Sequence, residues 1–117
     1  MHAPTVILAV IVSALAACTS GSGKTSKAPT PANPNEVVIY NYKFRPQTLT
    51  VSVGATVTWI NRDVAPHTAT HPSFGDEPFD TGSLGHLAVF SHTFKIAGSY
   101  DYYCVLHQGM TGTIVVQ

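Results

Sequence analysis

The stretch that decides the fold covers residues 100–110 and reads Tyr100-Asp101-Tyr102-Tyr103-Cys104-Val105-Leu106-His107-Gln108-Gly109-Met110. The alternation before Cys104 predicts an extended strand that turns Tyr100, Tyr102 and Cys104 to one face. Glycines at positions 109 and 112 then predict a tight loop that folds back over the strand end. Because Cys104, His107 and Met110 recur at every third position, this loop can bring a thiolate, an imidazole and a thioether to one centre.

These three side chains indicate a metal site. Thiolate and thioether sulfur are soft donors that favour copper, above all Cu(I), over hard cations. A fourth donor is expected from residues 59–68, where a predicted strand runs into a turn and then His67. Two His, one Cys and one Met match the trigonal set with a weak axial thioether that defines a blue-copper site. The predicted ligands of one copper ion per chain are therefore His67, Cys104, His107 and Met110.

Two longer patterns surround these ligands. The first begins at Phe44-Arg45-Pro46 and continues through Leu49, Val51, Val53-Gly54, Val57, Trp59, Asn61 and Asp63 to Pro66-His67; the second comprises Gly98, Tyr100, Tyr102, Cys104, His107, Met110 and Gly112. Over residues 36–117 the chain resembles the cupredoxins, or type 1 copper proteins, and its short ligand loop is most similar to that of amicyanins. The resemblance implies a Greek-key β-sandwich, one-electron transfer and a docking face around His107.

The chain departs from the family pattern at one position. Amicyanins and plastocyanins usually carry Asn after the first His ligand, where its side chain links the two ligand loops. Here the residue is Thr68. Threonine can also hydrogen-bond but its side chain reaches less far, so the departure leaves the rigidity of the loops and the reduction potential open, whereas copper binding is still expected.

The rest of residues 36–117 predicts an all-β domain. Short runs rich in Val, Ile, Thr, Tyr and Phe are separated by turns, a spacing that favours a two-sheet sandwich. Val53-Gly54-Ala55-Thr56 predicts a hairpin-like turn, and Trp59 is expected in the core. The expected strands cover residues 37–42, 48–53, 56–60, 67–70, 88–95, 99–104 and 111–116.

The N-terminal part predicts export. Residues 1–17 contain an apolar run that is shorter than the about 20 residues of a membrane span and is typical of a signal peptide, although the first residues lack Lys or Arg. Leu15-Ala16-Ala17-Cys18 resembles a bacterial lipobox, which implies cleavage before Cys18 and lipidation of its thiol; an ordinary cleavage site with an incidental Cys is the alternative. Residues 18–35, rich in Ser, Thr, Gly and Pro, predict a disordered linker.

Localisation and cysteine chemistry follow from this interpretation. We expect a lipid-anchored protein at the outer face of the cell membrane or in the periplasm, or alternatively a soluble secreted or periplasmic protein. Two cysteines in an exported chain also suggest a Cys18–Cys104 disulfide. A lipid on Cys18 excludes that disulfide, and copper would then protect the free Cys104 thiol from oxidation.

Composition limits the other classes of function. The 117 residues, 44% of them hydrophobic and 10% charged, suffice for one small domain, and a formal net charge of zero gives no electrostatic case for nucleic acid.

The irregular stretch 71–87 offers a second metal site as an alternative to solvated loop residues, with His71, His86, Asp76, Glu77 and Asp80 as its candidates. His92, between Ser91 and Thr93, is expected to face outward.

Four protein donors leave no open coordination position, which a catalytic metal needs. The sequence therefore predicts a monomeric electron carrier and not an enzyme. Its partner would be a redox protein such as a cytochrome, oxidase, reductase or dehydrogenase, with docking to one dedicated enzyme as a narrower version. The alternative function is a copper carrier or scavenger that uses the same ligands for metal exchange.

Overall fold

The computed structural model describes residues 28–117, so the predictions for the signal peptide, Cys18 and the first part of the linker lie outside the described residues. Within this part, no helix is long and apolar enough to cross a membrane. The described chain forms nine strands: β1 Glu36–Tyr40, β2 Lys43–Arg45, β3 Thr48–Val51, β4 Thr56–Asn61, β5 Thr70–His71, β6 Phe79–Asp80, β7 Val89–Thr93, β8 Gly98–Tyr103 and β9 Thr111–Val116.

The strands form two sheets that confirm the predicted all-β sandwich. One sheet has the order β2-β1-β4-β7 and the other has the order β3-β9-β8-β5-β6. β1 pairs in parallel with β4, and β3 pairs in parallel with β9, whereas the remaining pairs are antiparallel. Parallel neighbours cannot be joined by a tight hairpin. The chain therefore crosses between the sheets, as a Greek-key sandwich requires.

The core lies between the two sheets and is centred on Trp59, which is fully buried as predicted. Its ring centroid lies 5.1 Å from that of Phe79 and 5.7 Å from that of Tyr102. In β8, Tyr100 and Tyr102 are buried while Asp101 and Tyr103 are exposed, which confirms the predicted alternation. Strand β8 thus runs along the core and ends directly before Cys104.

Several local predictions were wrong. Strands β2 and β6, of three and two residues, were not predicted because so short a run carries no periodic signal. The turn at Gly54, where φ is +89°, is not a hairpin turn, since β3 and β4 belong to different sheets. His67 lies outside the strands and forms an isolated bridge with Leu84.

His92 also differs from expectation. It faces inward from β7, with its ring 5.4 Å from Phe79 and 4.7 Å from Phe94. Its Nε2 lies 3.5 Å from Glu77 Oε2, and Glu77 Oε1 accepts a hydrogen bond from the Lys95 backbone. The irregular stretch before β7 is therefore packed against the sandwich through Glu77. The polar residues Ser91 and Thr93 beside His92 gave no indication that its side chain faces inward.

Candidate metal centre

Three of the four predicted ligands meet at one end of the sandwich. His67 Nδ1 lies 3.0 Å from His107 Nδ1. Cys104 Sγ lies 3.8 Å from His67 Nδ1 and 3.4 Å from His107 Nδ1. His67 and Cys104 are buried, whereas His107 is partly exposed. The prediction that His107 is the more exposed imidazole is thus confirmed.

The loop after β8 presents its ligands as the glycine pattern predicted. Cys104 N donates a hydrogen bond to Met110 O at 3.0 Å, and His107 N and Met110 N donate to Cys104 O and His107 O, each at 3.4 Å. Gly109 has a φ of +82°, a left-handed conformation that favours glycine. The loop therefore folds back on itself and buries the Met110 side chain, which is 4% exposed.

The segment that carries His67 is shaped by Asn61 at the end of β4. Its buried side-chain amide donates to Ala65 O at 2.9 Å and Leu84 O at 2.8 Å, and its Oδ1 accepts from Asp63 N at 2.9 Å. A buried amide with its donors and acceptor paired fixes the surrounding backbone. Asn61 thus holds the turn that delivers His67 to the site.

Asp63 contacts the far side of the His67 ring. Its carboxylate accepts hydrogen bonds from the backbone N–H groups of Asn41 at 2.7 Å and Tyr42 at 2.9 Å, and from His67 Nε2 at 2.8 Å. Partial burial acts to raise the pKa of Asp63, but these hydrogen bonds hold the pKa below its usual value of 3.8. Because Nε2 carries the donated proton, a neutral His67 keeps Nδ1 free to bind a metal.

Tyr42 covers the two imidazoles from the β1–β2 turn. Its ring centroid lies 5.1 Å from that of His67 and 4.8 Å from that of His107, in both cases edge to face. The residue has a φ of +58° and is half exposed. Sequence reasoning missed both Tyr42 and the role of Asp63, because their contacts with the ligands depend on a turn that the sequence did not predict.

Thr68 links the two ligand segments despite its short side chain. Its backbone N–H donates to Cys104 Sγ at 3.3 Å, and its Oγ1 accepts a hydrogen bond from Val105 N at 2.9 Å. The same hydroxyl lies 3.1 Å from Thr70 Oγ1. The link expected from Asn in related proteins is therefore present here through Thr68.

The alternative second metal site is not formed among residues 28–117. In this part of the chain, the residues that cluster closely enough to bind a metal ion together are His67, Cys104 and His107. His71 and His86 instead place Nδ1 against the backbone carbonyls of Asp101 at 2.6 Å and Asp63 at 2.9 Å. The proposed Cys18–Cys104 pairing involves a residue outside the described part of the chain.

The donor set fits copper. A buried thiol and two imidazole nitrogens lie within 4.8 Å of one another, and a buried thioether belongs to the same loop. Thiolate, imidazole and thioether donors together suit copper and not the oxygen-seeking cations. The sandwich and this cluster define the class of small copper proteins with one metal site.

Comparison with known proteins agrees with this class. A family model described as copper binding proteins, plastocyanin/azurin family, matches residues 34–117. The chain therefore belongs to the plastocyanin/azurin family of copper-binding proteins, and its cofactor is copper.

Individual relatives show the extent of the similarity. Amicyanin from Paracoccus denitrificans is 38% identical over 91 residues, which are 69% of this chain and 63% of that protein. Plastocyanin from Scenedesmus fuscus is 36% identical over 87 residues, 63% of this chain and 86% of that protein. A copper-containing nitrite reductase from Thermus scotoductus superposes with a TM-score of 0.67 at 35% identity, covering 80% of this chain but 24% of the reductase chain. The chain thus spans slightly less than two thirds of this amicyanin, most of this plastocyanin and about a quarter of the reductase chain.

Proposed function

We propose that the protein carries single electrons between redox partners and that His67, Cys104, His107 and Met110 would hold the one copper ion that supplies this activity. The observation that carries this proposal is the convergence of the three donor atoms in a buried cluster whose outermost member, His107, reaches the surface. When bound, copper supplies the capacity to accept and release one electron. A donor set contributed entirely by the protein leaves no position for a substrate.

The surrounding residues prepare the site for this role. Asp63 orients the His67 ring, and the Thr68 N–H donates to the Cys104 sulfur. Hydrogen bonds of this kind around the sulfur tune the reduction potential of copper–thiolate sites. Both contacts come from the folded sandwich and would hold the ring of His67 and the sulfur of Cys104 in position when copper is bound.

The surface around His107 supports contact with a partner protein. Val64, Val105 and Leu106 are 88%, 55% and 49% exposed. Val105 and Leu106 directly precede His107, the Tyr42 ring contacts His107, and Val64 and Pro66 belong to the turn before His67. We infer that these five side chains form an apolar patch around the partly exposed imidazole. Small apolar faces suit the weak, short encounters of electron-transfer proteins. The proposed partner is a redox protein, such as a cytochrome, oxidase, reductase or dehydrogenase, that approaches the copper through this patch.

A test of this function also separates it from the copper-carrier alternative. The protein is loaded with Cu(II), and its visible spectrum is recorded before and after reduction with ascorbate and reoxidation. An intense band near the red end that bleaches and returns supports electron transfer. A protein that holds only colourless Cu(I) and yields it quickly to a chelator would instead be a copper carrier or scavenger.

We further propose that the mature protein is exported and begins at a lipidated Cys18. The support comes from the apolar run in residues 1–17, the Leu15-Ala16-Ala17-Cys18 sequence and the Ser/Gly/Pro-rich residues after it. The lipid would place the domain at the outer face of the cell membrane or in the periplasm. Mass spectrometry of the mature N-terminus tests this: diacylglycerol on an N-terminal Cys18 is expected, and an unmodified N-terminus at another position contradicts it.

A further inference from the structure

The basic side chains of the described chain are unevenly placed. Residues 28–117 contain four Lys and Arg residues, namely Lys43, Arg45, Arg62 and Lys95. Lys43 directly follows Tyr42, which covers the two imidazoles, and Arg62 directly precedes Asp63, which contacts His67. Both cations are exposed. They therefore lie beside the copper ligands, at the same end of the sandwich.

Arg45 belongs to the same end. Together with Lys43, Tyr42 and Met110 it lines a cavity of about 530 Å³ that contains no acidic residue in its lining. The Arg45 Nε atom is buried and has no hydrogen-bond partner among the described residues. Two cations thus border an open cavity next to Met110, and no carboxylate lines this cavity.

Most acidic side chains lie away from the copper. Glu36 pairs with Thr58 in the β1–β4 ladder. Thr58 lies three residues before Asn61, the end of β4 that is nearer the ligands, so Glu36 is about 10 Å from that end along the strand direction. Glu77 accepts a hydrogen bond from the backbone N–H of Lys95, and Asp76 directly precedes Glu77 in the chain. Asp101 lies three residues before Cys104 on the outer face of β8, again about 10 Å along the strand.

Two acidic residues, Asp63 and Asp80, lie nearer the ligands, and both carboxylates accept hydrogen bonds from other residues of the chain. Asp63 accepts three hydrogen bonds, so little of its carboxylate faces solvent. Asp80 lies on β6, the edge strand of the five-stranded sheet, and its Oδ1 accepts from Thr70 and Gly82. By formal charge, the copper end carries three cations, Lys43, Arg45 and Arg62, here called the basic rim, against the two carboxylates of Asp63 and Asp80. The other four acidic residues of the described chain, Glu36, Asp76, Glu77 and Asp101, lie farther from the ligands.

We propose that this basic rim, next to the apolar patch around His107, docks an acidic redox protein. The inference rests on the proposed electron-transfer function and specifies the chemistry of its partner. A protein is the occupant that fits, because it can place an apolar contact over Val105 and Leu106 while its carboxylates reach the three cations. Such complementary charges increase the rate of encounter and orient the copper end toward the partner.

The test uses two small oxidants of opposite charge as probes. The reduced, copper-loaded protein is mixed in a stopped-flow instrument with hexacyanoferrate(III), an anion, or with tris(phenanthroline)cobalt(III), a cation; each takes one electron from one protein molecule. A change in the reduction potential of the copper moves both rates in the same direction. The ratio of the anion rate to the cation rate therefore reports the charge around the site.

Two variants with the same chemical change provide the comparison. Lys43→Glu alters the basic rim, and Lys95→Glu alters the opposite end while producing the same change in net charge. At low ionic strength we expect Lys43→Glu to lower the ratio about fivefold, within the range of electrostatic steering, and Lys95→Glu to lower it less than about twofold. In about 1 M salt, where the Debye length is about 3 Å, both differences should disappear.

Other outcomes overturn the proposal. Equal effects of the two variants, or a ratio that does not change with ionic strength, would show that the copper end carries no basic docking field. A concentration-dependent dimer of the copper-loaded protein that Lys43→Glu abolishes would assign the surface to a second copy of this chain. Absence of any reversible copper oxidation would contradict the electron-transfer function itself, and with it this surface.

Discussion

Asp63 Oδ2 accepts a hydrogen bond from His67 Nε2 at 2.8 Å, and the same carboxylate accepts two backbone N–H groups from the turn that carries Tyr42. One side chain therefore connects the β1–β2 turn with a proposed copper ligand. A carboxylate in this position fixes the tautomer and orientation of the imidazole and increases its strength as a ligand.

Replacing Asp63 by Ala should weaken copper binding. Loss of an outer carboxylate of this kind typically costs about 10- to 100-fold in metal affinity, which a competitive titration against a Cu(II) chelator would measure. Asp101→Ala, at an exposed carboxylate that accepts a hydrogen bond from Thr113, is the matched control. Affinity unchanged in Asp63→Ala, or lowered equally in both variants, would show that Asp63 does not orient His67.

Thr68 leads to a second expectation. Thr68→Val keeps the shape of the side chain but removes the oxygen that accepts from Val105 N, so the free energy of unfolding should fall by about 1 kcal/mol. Copper should also leave faster, because one of the two hydrogen bonds between the ligand segments is lost and only the bond from Thr68 N–H to Cys104 Sγ remains. Denaturant unfolding and chelator-driven copper release measure the two effects. Thr113→Val, which removes an exposed hydrogen bond to Asp101, should change neither by as much; an equal change in both variants contradicts the linking role.

Gly112 allows β9 to approach the Tyr102 ring. A Cβ atom at this position would overlap the phenol of Tyr102, whereas a Cβ atom at Gly85 would meet nothing within 4 Å. Gly112→Ala should therefore lower the free energy of unfolding by about 1–3 kcal/mol, as overpacking usually does, and Gly85→Ala should leave it nearly unchanged. Thermal unfolding of the two variants is sufficient to compare them, and equal stability would show that β9 can move away from the ring.

The buried phenol of Tyr102 should make stability fall at high pH. Burial raises the pKa of Tyr102 well above its usual value of 10, and the neighbouring Trp59 offsets only part of that effect. Since the folded-state pKa is the higher one, the contribution to stability is fully present below about pH 10 and is lost as the pH rises toward the folded-state pKa. Tyr102→Phe should reduce the decline in the free energy of unfolding above pH 10. The same slope in both proteins would contradict this assignment.

The ligand loop could be predicted because its information is local. Cys104, His107 and Met110 lie within seven positions, and the glycines beside them determine how that short segment folds. His67 could be added because the strand before it ends in a turn. Residue types with metal-binding chemistry, at a spacing that one loop can satisfy, are enough to predict such a site.

The supporting contacts could not be predicted in the same way. Asp63 meets Tyr42 across 21 positions of sequence, and that contact requires the turn at Asn41 and Tyr42, where both residues have positive φ. Asn adopts positive φ more often than most residues do, but Tyr rarely does, so two such residues in a row are not predicted from the sequence. His92 was misplaced for a related reason, since its burial depends on Phe79 from a strand too short to recognise.

The most direct test of the account is a Cu(II) titration of the wild-type protein and of Cys104→Ser, followed by visible absorption. The wild type should bind one copper per chain and develop an intense band near the red end of the spectrum, and Met110→Leu should keep that band while raising the reduction potential. Cys104→Ser should remain without the band at any copper concentration. A wild type that stays colourless, or a Cys104→Ser variant that turns blue, would contradict the proposed copper site.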